Sequence, residues 1–160
     1  MDMDKQTEIE RAGAIVRTIE PKHNPETSCM LMAAAIAGMR GLTMRHIRIG
    51  SVFWPGKWSD PYIEMRGGWG CEGYDALTGR LYLSDNDVDE DGSFAGHTWL
   101  EPEPEAVIDL MHDYEGPHME RDPQTWKVVM QYIRRPPLER AVKNFWRQQM
   151  LAAIKAGAKA

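Results

Sequence analysis

A chain of 160 residues, 42% hydrophobic and 27% charged, is long enough to bury a core of its own as one domain. Its formal net charge of −5 argues against a nucleic-acid partner, which asks for a basic balance. No apolar run reaches the ~18 residues of a membrane span, and the opening MDMDKQTEIER lacks the apolar stretch of a signal peptide, so a cytoplasmic location with no membrane partner is expected.

In chain order, residues 3–20 read as a helix, with Ile9, Ala12, Ile15, Val16 and Ile19 on one face and Pro21 as its stop. A second helix follows. Asn24 with Pro25 suits its start, and Thr27 or Ser28 offers a later cap. Its body, CMLMAAAIAGMRG, is apolar on almost every side, the mark of a central, buried helix. MRHIRIGSVFW then changes to strand period. Residues 55–78, rich in Gly, Pro and Trp, read as loops with a short strand at 62–64. Trp54, just before this stretch, and Trp58 and Trp69 within it would either wall a site or pack half-buried. Arg80–Leu83, Phe94–Leu100 and Ala106–Leu110 read as strands, 112–123 as irregular, and WKVVMQYI as a strand. An amphipathic helix over 138–156 closes the chain. Two helices, a run of strands able to pair antiparallel and a terminal helix make an α+β domain spanning 1–160.

Thiol chemistry is the reaction these residues suggest. A thiolate is the nucleophile, and a helix amino terminus and a neighbouring imidazole both favour it. Cys29 lies near the start of the buried helix, in its first turn if Ser28 is the cap and a turn further in if Asn24 is. His97 lies in FAGHTWLE and Asp109 in AVIDL, on strands whose short connection makes them neighbours and sets the two side chains together. Glu101 shares the strand parity of His97 and Trp99 and competes with Asp109 to orient the imidazole. Cys71, in GGWGCEGYD, is the rival nucleophile. A second oxyanion donor is not legible; the backbone N–H of Cys29 and side chains of His23 or Asn24 are the candidates.

The order of these pieces resembles the core of the transglutaminase-like superfamily, a branch of the papain-like cysteine enzymes. The matching segments are SCMLMAAAIAGMRGLTMRHIRIGSVFW, AGHTWLE and AVIDL, within about residues 24–111. A cysteine opens a helix of small apolar residues, a Gly-Leu element and a strand follow, a His-x-Trp motif lies on a later strand, and an aspartate on the next. The resemblance implies a papain-like fold with a buried helix packed on an antiparallel sheet. It implies Cys29 as nucleophile, His97 as base and Asp109 as orienting carboxylate, with Trp99 and Glu101 beside the substrate. The chemistry implied is hydrolysis or acyl transfer through a thioester, on a peptide, a protein or a small amide or thioester, without a cofactor.

Two other functions compete. The same fold with an unproductive triad would serve as a binding or inhibitor protein through its Trp-rich loops. Asp87-x-Asp89-x-Asp91-Gly92 fits the first half of a calcium loop but also reads as an acidic hairpin turn, because position twelve is Thr98 rather than glutamate. None of the five histidines shows the close paired spacing of a structural zinc set, so no metal site is read from the sequence. The basic residues of the last helix read as a solvated face.

Overall fold

The computed structural model of the chain describes residues 4–19, 25–55, 65–75, 78 and 80–160. Among the described residues, three α-helices and nine strands give an α+β fold. The helices are α1 (Lys5–Ile19), α2 (Pro25–Met39) and α3 (Pro136–Ala158). The strands are β1 (Ile47–Pro55), β2 (Met65–Trp69), β3 (Cys71–Asp75), β4 (Arg80–Leu83), β5 (His97–Leu100), β6 (Ala106–Asp109), β7 (Tyr114–Pro117), β8 (Met119–Arg121) and β9 (Val128–Arg134).

The all-apolar body of α2 is buried as its composition requires: every residue from Met30 to Ala37 is inside. α1 and α3 flank it. On α1 the residues facing inward, Glu8, Ala12 and Val16, are spaced by four, one helical face. Glu8 is tolerated there because Arg40 grips its carboxylate with Nε and Nη2 at 2.9 and 2.8 Å. α2 and α3 touch backbone to backbone where two glycines meet the opposite helix. A Cβ at Gly38 would lie 2.8 Å from the Ile154 carbonyl carbon and 2.9 Å from the Ala158 nitrogen. Among the described residues, no helix is long and apolar enough to cross a membrane.

All the strand pairings are antiparallel. Across the main sheet the order is β7-β6-β5-β1-β9-β8, with β2 also paired to β1. Its two end strands are consecutive in sequence, separated by His118 alone. The sheet therefore curls until its edges meet. Tyr114 on β7 stacks on Tyr132 on β9 at 5.4 Å, although three strands lie between them in the sheet order. One face of this nearly closed sheet holds a small core of Val52, Trp99, Val107, Met130 and Tyr132. The other face, with Ile47, Ile49 and Leu100, packs against the helices in the larger core.

Long β1 has two partners along one edge. β5 pairs with Ile47–Gly50 and β2 with the stretch from Val52. The handover falls at Ser51, whose hydroxyl donates to the Gly70 carbonyl at 2.7 Å.

The irregular stretches expected over 55–78 and 112–123 contain strands, β2 and β3 in the first and β7 and β8 in the second. Glycine hid them. A Cβ at Gly68 would lie 2.7 Å from the Val52 carbonyl oxygen, so this strand uses glycine to let two backbones approach. The short strand expected at 62–64 lies outside the described residues. Residues 44–46 form a 3-10 turn ahead of β1, because Thr43 caps them through the His46 ring.

Candidate active site

His97 is the first residue of β5 and Asp109 the last of β6. Leu100 pairs with Ile108, an antiparallel register that brings these two strand ends together. His97 Nε2 lies 2.7 Å from Asp109 Oδ2, and both side chains are buried. A carboxylate only accepts, so Nε2 carries the hydrogen and Nδ1 is the nitrogen left to take a proton. The Tyr132 hydroxyl donates to the same Oδ2 at 2.8 Å. Burial, then the charge of Asp109, push the Tyr132 hydroxyl well above the usual phenol range, so it remains a donor through alkaline pH.

The register also explains the aromatic cover. Gly50 stands opposite His97 and Val52 opposite Trp69, so His97 and Trp69 meet on one face at the handover on β1. Their rings stack at 5.3 Å. Trp54 meets Trp69 edge-on at 5.4 Å. His112 completes the group, 4.7 Å from His97 and 4.4 Å from Trp69 between ring centroids. Burial holds the His112 imidazole below its ordinary value, against an opposing pull from the charge of Asp109 and with a smaller contribution from neighbouring His97. His112 ends a 3-10 turn, Leu110–His112, with Asp109 at the position just before it. In a 3-10 helix residues three apart eclipse, which sets His112 over Asp109. Asp113, in the left-handed region at φ 49°, then turns the chain into β7.

α2 lies against β5, and Ala33 and Ile36 share the wall of a small cavity with Thr98, Asp109 and Leu110. Cys29, half-buried, is four residues before Ala33 and so on the same helical face. The helix begins at Pro25, and Thr27 and Ser28 are inside it rather than capping it. Cys29 is therefore its fifth residue, past the turn where the dipole is strongest.

The remaining candidates fall elsewhere. Glu101 lies beyond the end of β5 and pairs with Arg48 at 3.5 Å, so the orienting carboxylate at His97 is Asp109. Trp99 is 2% exposed, packed edge-on against Tyr132 inside the curled sheet. The Cys71 thiol contacts the carbonyls of Val52 and Trp69, and burial pushes it up, the opposite of activation. His23, Asn24 and Trp58 lie outside the described residues. The acidic turn is a hairpin: Val88 bridges Phe94, and the Ser93 hydroxyl binds the carboxylates of Asp89 and Asp91 at 2.9 and 2.7 Å. Gly92, at φ +88°, packs under Trp146 of α3, whose indole donates to its carbonyl at 2.9 Å.

Two site residues were not read from the sequence, Tyr132 and His112 beside Asp109, whereas Trp69 was among the tryptophans expected either to wall a site or to pack half-buried. Strand parity alone could have put Tyr132 on the inner face, but its reach to Asp109 depends on sheet closure. Compared with protein-family models, with curated proteins and with solved structures, the chain gives no match.

Proposed function

We propose that this chain is a cysteine hydrolase or acyltransferase on a papain-like, transglutaminase-core fold, with Cys29 as nucleophile, His97 as base and Asp109 as orienting carboxylate. The observation that carries this reading is the buried 2.7 Å bond between His97 Nε2 and Asp109 Oδ2 on adjacent strands, which fixes the tautomer a thiol needs opposite it. α2, which carries Cys29, packs on β5, the strand that His97 begins. His97 Nδ1 takes the proton of the Cys29 thiol, and the thiolate attacks the carbonyl carbon of an amide or thioester. The tetrahedral intermediate collapses to an acyl-thioester as His97 returns the proton to the leaving amine or thiol. Water or an amine, giving up a proton to His97, then attacks the thioester carbon, and the Cys29 sulfur leaves and takes that proton back, giving hydrolysis or transfer. Because Cys29 sits past the first turn of α2, the helix dipole contributes little and the imidazole must supply most of the activation.

The acyl-enzyme is the testable species. Brief incubation with a small activated thioester, quenched in acid and mapped by mass spectrometry, should place one acyl group on Cys29. His97→Ala should lose it. Acylation spread over lysines, or on Cys71, would remove the reading.

A further inference from the structure

We propose that His97, Asp109 and His112 form a binding site for a divalent transition-metal ion, zinc by preference. One ligand atom from each lies within 4.8 Å of the other two. Two imidazoles and a carboxylate are a donor set used by zinc centres, and three protein ligands leave a fourth position open. With zinc bonds of about 2.0–2.1 Å, ligand atoms stand about 3.4 Å apart. The 2.7 Å His97–Asp109 contact opens, and separations of up to 4.8 Å close by side-chain rotation, to reach that arrangement.

Local structure presents these ligands together. The 3-10 turn sets His112 over Asp109, and the antiparallel register sets His97 beside it. A supporting shell is already in place. The Tyr132 hydroxyl orients the Asp109 carboxylate at 2.8 Å, as outer-shell donors do at metal sites. Trp69 stacks on His97 and packs on His112, bracing both rings. A buried carboxylate with two imidazoles carries a single negative charge, which a dication more than neutralises.

The site shares His97 and Asp109 with the thiol reading but contains no sulfur, so it does not depend on Cys29. If both hold, they exclude one another in time: zinc occupies the nitrogen donors and carboxylate that thiol activation needs, and the loaded form is silent toward acyl substrates.

Titration of the metal-stripped 160-residue chain with zinc chloride, followed by calorimetry, tests the site. One equivalent should bind. His112→Ala and the bulkier His112→Gln, each checked for fold by circular dichroism, should weaken binding at least about ten-fold. Cys29→Ala should bind zinc as the unsubstituted chain does. Absence of binding, undiminished affinity in both His112 variants, or loss of binding with Cys29→Ala would overturn the proposal. None of these results bears on acylation of Cys29, so the two readings fail separately.

Discussion

Asp109 is the residue on which the site turns. Its Oδ2 accepts from both His97 and Tyr132, and it is 3% exposed. A buried carboxylate is stable only with such donors. Hydrogen bonds to a charged group contribute about 1.5–3 kcal/mol, so Tyr132→Phe should lower unfolding free energy by that amount. A shift of the urea midpoint with an unchanged slope is the expected result. The same substitution should leave the His97–Asp109 bond in place, and with it most of the reactivity at Cys29. At this scale the sequence was informative about pairs and silent about triples. His97 and Asp109 are joined by a short connection whose antiparallel geometry is predictable. Glu101 looked equivalent on strand parity; its pairing with Arg48 and the bond from His97 to Asp109 separate the two.

Among the elements, α2 carries the tightest constraint. Its composition announced burial, and every residue from Met30 to Ala37 is inside. Composition did not reveal how close α3 comes. Gly38 is where the two backbones meet, and a methyl there would collide with backbone atoms of Ile154 and Ala158 that cannot rotate away. Gly38→Ala should therefore destabilise the fold by about 1–3 kcal/mol, despite the better helix propensity of alanine. Thermal unfolding would show it as a lower midpoint; a rise would mean the helices part more easily than their packing implies. The strands most difficult to foresee, β2 and β7, contain Gly67-Gly68 and Gly116. Strand propensity counts side chains, whereas these segments are held by backbone pairing to neighbours far along the chain. The acidic turn illustrates the converse, since its hairpin was readable from local residues alone.

Over the whole molecule, closure of the sheet and the staple of Arg135 hold the site's parts together. Arg135, 4% exposed, donates to the carbonyls of Gly70, Ser84, Asp85 and Ala95, to the Asn86 side chain and to the Ser51 hydroxyl. These acceptors come from four separate segments of the chain, including the junction where β1 passes from β5 to β2. Removing the donors from buried carbonyls costs about 1–3 kcal/mol each. Arg135→Met should thus cost at least about 3 kcal/mol, a large part of the ~5–15 kcal/mol available to a domain. Guanidinium denaturation would register it; a change below about 1 kcal/mol would show that water replaces the side chain freely. None of this was legible from sequence, where Arg135 reads as one of several basic residues near the last helix. Long-range closure also explains why an α+β class could be reached from local pattern while the site's third and fourth members could not.

The central claim is that His97 activates Cys29. Iodoacetamide labelling at pH 6, resolved by residue with mass spectrometry, measures it most directly. Cys71 serves as the internal reference, because burial pushes its thiol up and keeps it protonated. Cys29 should react about 100-fold faster than Cys71, and His97→Ala should remove most of that difference. Equal rates at the two thiols, or a Cys29 rate indifferent to His97→Ala, would contradict the account.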